Sequence, residues 1–292
     1  MFGVLNINKP GGWTSRDVVN RVQRFVRPAK SGHAGTLDPL ATGVLVICVG
    51  PATRLISYVQ QLPKQYQATF LLGRTSPSED TETEITRVPA APEPTLADIE
   101  AQLPGFLGEI IQRPPAYSAL KVKGRRAYDL ARQGQPVDLK PRPIQIFDLH
   151  VTKYAYPELQ LTIRCGSGTY VRSLGRDLAG SLGTGAVMSA LSRTAIGSYS
   201  LRDALDLEQL QKESLEGHLL SPLTTVAHLP QVTLSEKQEN EIRHGRPISI
   251  DPHQGALAGI LVATNLEGKL IALLSERQPG MLGPTCNFTS PA

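Results

Sequence analysis

The chain has 292 residues, 40% hydrophobic and 19% charged, too apolar for a disordered segment and long enough for one large domain with a small one beside it. Its net charge of +4 hints at a polyanionic partner, and its three cysteines and six histidines are scattered without CxxC or Cys/His ligand spacing, which argues against a disulfide framework or a zinc site. The first residues carry no basic stretch followed by a long apolar core, and no apolar run approaches membrane length, so a soluble, cytoplasmic protein is expected.

In chain order, residues 4–7 read as a short strand closed by Lys9-Pro10-Gly11-Gly12. Thr14 or Ser15 then caps a helix whose apolar positions Val18, Val19, Val22, Phe25 and Val26 follow helical spacing. The stretch GHAGTLDPLATGVLVICVG, residues 32–50, sets Asp38 in a turn of small residues before an apolar β-branched strand at 44–49. The spacing of Asp38 and Pro39 also fits a plain helix cap, with proline at the first helical position. Residues 51–60 have the pattern of a short helix. Residues 65–72 alternate, with Tyr66, Ala68, Phe70 and Leu72 on one face, as a strand does. Residues 76–84 and 88–94 are loop, and 95–103 form a helix with Thr95 and Asp98 at capping-box spacing.

Between Arg113 and Arg142 eight Lys or Arg face only two acids, Asp129 and Asp138, with Tyr117 and Tyr128 among them. Such a run suits either a solvated helix or a surface that neutralises phosphates, with tyrosines for stacking on unpaired bases. Residues 144–151 and 159–165 pair as strands, Gly166-Ser167-Gly168-Thr169 leads into a helix at 170–182, 187–196 is a further strand, and 206–210 a short helix. Gly166-Ser167-Gly168 resembles a phosphate loop only in part, because Val171 stands where a third glycine belongs and no GK[ST] follows. Arg172 falls in the first turn of its helix, where a cation opposes the dipole, and so suggests a carboxylate or phosphate partner. After Pro230 a polar helix at 235–243 and strands at 258–264 and 269–274 form a small β-rich module of about sixty residues. Taken alone, His33 and Tyr66 fit a backbone-bonded turn histidine and a core tyrosine as well as functional roles.

Together the segments GVLNINKPGGWTS, GHAGTLDPLATGVLVICVGPATRL, KQYQATFLLGRTS, RPPAYSALKVKGRRAYDLARQG, CGSGTYVRSLGRDLA and ALSRTAIG resemble the bacterial tRNA pseudouridine-55 synthases of the TruB type, in that family's order and over nearly all of the first 200 residues. The resemblance implies an α+β fold, a pseudouridine synthase domain over residues 1–228 with a largely antiparallel mixed sheet and flanking helices. A β-rich module at 229–292, similar to the RNA-binding PUA fold, follows. It implies Asp38 as the essential aspartate, Tyr66 against the target base, Arg172 paired with the aspartate, and Leu191 lining the uracil pocket. His33 would lie near the space that the flipped base vacates, with Lys64 beside Tyr66 in the substrate site. Lys121, Lys123, Arg125 and Arg126 belong to an insertion, 113–142, that grips the tRNA T-arm. Chemistry without cofactor or metal, by a monomer acting without guide RNA, is implied as well. One departure is Ser76-Pro77-Ser78-Glu79, where the family carries a run richer in Asp and Thr. A non-catalytic RNA-binding or tRNA-folding protein would use the same basic surface, and Asp38 discriminates between the two.

Overall fold

A computed structural model describes residues 1–118, 120–122, 124–211, 215–249 and 259–289. The expectations on Lys123, on the side chain of Lys121 and on the first residue of the strand at 258–264 lie outside the described residues. The chain begins with β1 (Gly3–Lys9), longer than expected because its whole length pairs with a later strand. Thr14, not Ser15, caps α1 (Ser15–Val26) through a capping box with Asp17. Val18, Val19, Val22 and Val26 are buried while Phe25 turns outward under the Arg21 guanidinium, which corrects its assignment to the buried face. Next come β2 (Ser31–His33) and β3 (Thr42–Val49), then a 3-10 turn (Gly50–Leu55) running into α2 (Ile56–Gln61). The alternating strand is β4 (Lys64–Leu72), with the even-numbered residues from Lys64 to Leu72 buried.

A small ribbon of β5 (Arg74–Thr75) and β6 (Thr86–Arg87) frames the loop at 76–85. It is followed by α3 (Leu96–Gln102), with the expected Thr95–Asp98 box, and β7 (Gly108–Gln112). The basic segment folds as a hairpin of β8 (Lys121–Val122) and β9 (Arg125–Arg126) followed by α4 (Ala127–Arg132). Then come β10 (Arg142–Ala155), β11 (Glu158–Cys165), α5 (Val171–Ser181) and β12 (Ala186–Ile196). Two short strands follow, β13 (Tyr199–Ser200) and β14 (Leu205–Asp206); of the helix expected at 206–210, Asp206 belongs to β14 and only a 3-10 turn at Gln209–Gln211 remains.

These strands form one ten-stranded sheet in the order β14-β1-β3-β12-β4-β11-β10-β7, with β13 on β12 and β2 on β3. Only β1–β14 and β3–β12 run parallel; the rest are antiparallel. On one face α5 packs against β4 so closely that a Cβ on Gly175 would stand 2.1 Å from the Phe70 ring. That glycine lets the helix carrying Arg172 lie against the strand carrying Tyr66. The β-rich module is a five-stranded sheet, β15 (Gln231–Thr233), β17 (Leu261–Thr264), β18 (Leu270–Gln278), β19 (Met281–Asn287) and β16 (Ile248–Ser249), flanked by α6 (Glu236–Arg243). Leu55 and Val226 join Val262, Leu270, Leu273 and Phe288 in one apolar cluster, and the Phe2 and Phe288 rings stack, so the module rests on the larger domain through buried surface.

Candidate active site

A cleft of about 900 Å³ opens across the sheet where β4 and β12 lie side by side, and Asp38, Tyr66, Arg172, Leu191, His33 and Lys64 all line it. Strands, loops and a helix far apart in the chain thus converge on one hollow. Asp38 caps no helix. It sits in the loop between β2 and β3, with Ala41 N–H bonded to its carbonyl in a tight turn.

That loop is fastened on three sides. The Ser15 hydroxyl accepts from the Leu37 N–H at 2.8 Å, and Gly12 N–H donates to the Pro39 carbonyl at 2.8 Å. From below, the Lys9 ammonium, fully buried, donates to the carbonyls of Pro10, Trp13 and Pro39 at 2.9, 2.5 and 3.2 Å. Burial pushes the Lys9 amine down to about 8, with the Asp38 carboxylate pulling the other way.

Arg172, 5% exposed, reaches Asp38 with two nitrogens, Nε to Oδ2 at 3.0 Å and Nη2 to Oδ1 at 3.4 Å. This is the fork geometry that a guanidinium offers and an ammonium does not. Its other donors go to the Ser78 carbonyl at 2.7 Å, the Tyr117 carbonyl at 3.0 Å and Asp80 Oδ2 at 3.4 Å. One guanidinium therefore bridges two carboxylates and clasps both the loop at 76–85 and the start of the basic insertion. Asp80, 1% exposed, also accepts from the Ser78 hydroxyl and the Glu82 N–H. The loop is further tied to α5 by Glu79, which accepts from Ser173 and is paired with Arg176.

Burial pushes the Asp38 carboxyl above its ordinary value of 3.8; Arg172 opposes the rise and the neighbouring Asp80 carboxylate adds to it. Pairing with Arg172 alone would lower it, but burial, with the Asp80 carboxylate, outweighs that pull. A reaction that needs the ionised acid should consequently fail in acid sooner than a free aspartate would dictate. Single-turnover rates across pH should show an acid limb with an apparent pKa above 3.8. A rate that stays level down to about pH 4 would mean that the pairing with Arg172 outweighs burial at Asp38.

Tyr66 is buried on β4, facing Arg193 of β12 in register, and Leu191 faces Ala68 two residues along. Burial raises the Tyr66 hydroxyl above its usual range, so it stands as a neutral ring wall. His33 is held neutral by burial with Arg16 and Arg193 nearby, and its Nδ1 faces the Gly35 N–H at 3.4 Å. The Lys64 amine, pushed down to about 8 by burial, bonds the Gln60 carbonyl and the Ser167 hydroxyl. The Gly166–Ser167–Gly168 turn is thus pinned to the cleft, with the Gly168 carbonyl taken by Arg142. From the basic segment, Arg126, Tyr128 and Arg132 reach the cleft wall, whereas Arg125 turns to Gln133.

Sequence patterning does not single out Asp80, Lys9, Ser15 or Arg193 as parts of the site. Arg193 alone left a legible signal, a cation two residues from Leu191 on the buried face of a strand.

Comparison with known proteins matches this arrangement to an enzyme family. The N-terminal domain of TruB family pseudouridylate synthases matches residues 23–171, and the tRNA pseudouridylate synthase B C-terminal domain matches residues 172–226. The tRNA pseudouridine synthase B of Dehalococcoides mccartyi (strain CBDB1) is 41% identical over 99% of this chain and 97% of its own length. That of Microcystis aeruginosa (strain NIES-843 / IAM M-2473) is 38% identical over 94% of this chain and 93% of its own. Among solved structures, one from a Cbf5-Nop10-Gar1 complex superposes with a TM-score of 0.71 at 25% identity, covering 94% of this chain and 78% of that one. The fold, with its large mixed sheet and C-terminal β-rich domain, is that of a pseudouridine synthase. Within that class the chain belongs to the TruB family.

Proposed function

We propose that this chain converts the uridine at position 55 of the tRNA T-loop to pseudouridine, with Asp38 as the catalytic aspartate, unaided by cofactor or guide RNA and acting as a monomer. Family membership and the relatives' activity support the coarser part, isomerisation of uridine in tRNA. The observation that carries the finer reading is the two-point pairing of Arg172 with Asp38 beside Tyr66 and Leu191 in one cleft.

The chemistry accounts for each part. Forming pseudouridine breaks N1–C1′, turns the uracil and joins C5 to C1′, with no net redox change and no hydrolysis. Positive charge developing at C1′ resembles the oxocarbenium of glycoside cleavage and calls for a fixed carboxylate, which Asp38 supplies. Tyr66 and Leu191 hold the uracil between them while it turns. A base inside a folded loop must first swing out, at a cost of roughly a few kcal/mol; His33, on the cleft lining, fills the space left behind in this reading. Arg126, Tyr128 and Arg132 on the cleft wall, with Lys121, Lys123 and Arg125 in the same segment, grip the T-arm through phosphates and stacking. The start of the second sheet at Gln231 supports the two-domain division at 228–229.

The test is to map pseudouridine in unmodified tRNA, and in a bare T-arm hairpin, after incubation with the purified chain. One pseudouridine in the T-loop of both is expected. Modification elsewhere in the tRNA, or none in the hairpin, would overturn the site assignment.

A further inference from the structure

Arg193 is 2% exposed, yet its guanidinium meets no carboxylate among the described ion pairs. Among the described residues its guanidinium donates to three backbone carbonyls, Nε to Val44 at 2.7 Å, Nη2 to Gly35 at 3.1 Å and Nη1 to Thr36 at 3.4 Å, and it lies close enough to the Tyr66 hydroxyl to act on it. Carbonyls satisfy the directions of the N–H bonds but leave the charge itself uncompensated, and a charge kept from water without a counter-ion is costly. A neutral amide could have bonded the same kind of acceptors. The position therefore holds a positive charge against its own interest.

Its place in the sheet says where that charge acts. The parallel strands β3 and β12 pair at only two positions, Ser192 with Thr42 and Arg193 with Gly43. Gly43 has φ +101°, and a Cβ there would stand 2.3 Å from the Arg193 carbonyl oxygen. The backbones meet at this point, and the Arg193 side chain reaches along β3 to Val44 and the Gly35–Thr36 segment that leads to Asp38. Across β12's other edge Arg193 is the register partner of Tyr66, and it lines the cleft. Two other cations of the floor are already engaged: Arg172 by two carboxylates and two carbonyls, and Lys64 by Gln60 and Ser167.

We infer that Arg193 supplies the fixed positive charge that stabilises the uracil anion formed when N1–C1′ breaks, so that Asp38 answers the charge on the ribose and Arg193 the charge on the base. This rests on the reading that the uracil lies over Tyr66 with C1′ at Asp38. When the bond breaks, its electron pair stays on N1 and spreads to O2 and O4 of the ring. When C5 attacks C1′, an electron pair of the ring forms the new bond, the C5 proton leaves to solvent and N1 takes one up from it, so the product is an isomer of the substrate and nothing is consumed. A guanidinium does not lose its proton in this range, and three carbonyls hold this one still, so its field is in place before the bond breaks.

The experiment compares Arg193→Gln and Arg193→Lys in single turnover on a T-arm hairpin carrying either uridine or 5-fluorouridine at the reacting position. The readout is loss of the N-linked nucleoside after nuclease digestion. Glutamine should slow uridine conversion about 100-fold with hairpin Kd within about threefold, and lysine should recover most of that loss. Because fluorine makes the base a better leaving group, the glutamine penalty should shrink about tenfold on 5-fluorouridine. An equal penalty on both nucleosides, or a lysine variant as slow as glutamine, overturns the assignment and leaves Arg193 as a brace for the loop. Should the glutamine chain fail to fold, the lysine chain decides: a loss of about 100-fold that ignores the leaving group likewise overturns the assignment. Asp38→Asn is the reference. If it still turns over, the whole site is misplaced; if it is inactive while Arg193→Gln is not, only the role of Arg193 falls.

Discussion

Asp38→Asn should abolish tritium release from a T-arm hairpin carrying 5-tritiated uridine, a loss of about 10⁴-fold or more, while hairpin affinity stays within a few-fold. The amide is nearly the same shape and can still accept from Arg172, so the loop fastened by Ser15, Gly12 and Lys9 keeps its course. It can neither bond to C1′ nor carry the charge that faces it. Stability should move little, and the sign can be argued. A carboxyl whose folded value lies above its ordinary 3.8 favours the folded state only while protonated, and that contribution fades as pH rises through the ordinary value towards the folded one. At neutral pH the carboxylate therefore weighs slightly against folding, and the asparagine is relieved of that burden. Against it stands Arg172, which loses one of two anionic partners but keeps Asp80. The two changes oppose each other, so thermal unfolding should shift by only a few degrees. Equal loss of binding and release would make Asp38 a structural residue and end the catalytic reading.

The sequence disclosed the elements whose causes are local. Strand β4 announces itself by alternation, and α1, α3 and α6 by Thr14, Thr95 and Ser235 at their starts. What stayed hidden depends on partners far along the chain. Strand β19 contains Gly283 and Pro284, poor strand formers, and holds because β18 and β16 flank it. Residues 205–206 have helical composition next to them but become a strand because Ile7 and Asn8 offer a free edge.

The same division runs through the candidate active site. Motifs put Asp38 and Arg172 on one map, but nothing near Asp80 distinguishes it from the other acids of its loop, since its role comes from Arg172 on a helix far along the chain. The departure at Ser76-Pro77-Ser78-Glu79 proves to sit in that same clasp: Ser78 gives its carbonyl to Arg172 and Glu79 takes Arg176 and Ser173. Glu79 holds φ at +63°, an uncommon conformation for a residue with a side chain, and its two partners on α5 compensate the strain. Lys9 reads as the first residue of a turn that closes a strand, and only the assembled loop supplies the carbonyls that account for its burial.

Arg172 is where these contacts meet, and its substitution should have the largest combined effect on rate and stability. Arg172→Met leaves Asp38 and Asp80 facing each other without a cation and frees the carbonyls of Ser78 and Tyr117. Removing one member of such a buried set costs about 3–5 kcal/mol, which for a chain of this size lowers Tm by roughly 6–20 °C. Arg172→Lys is the more telling variant because it keeps the charge. One ammonium cannot span four acceptors that a guanidinium reaches from three nitrogens. Turnover should therefore fall about 10²–10³-fold with little change in hairpin Kd. Looser pairing also opposes the burial of Asp38 less well, so the acid limb of the rate should move to higher pH, and part of the lost rate should return as the medium is made more alkaline. A loss that is the same at every pH would mean that Arg172 positions Asp38 without helping to ionise it, and unchanged turnover would refute the pairing as part of the mechanism.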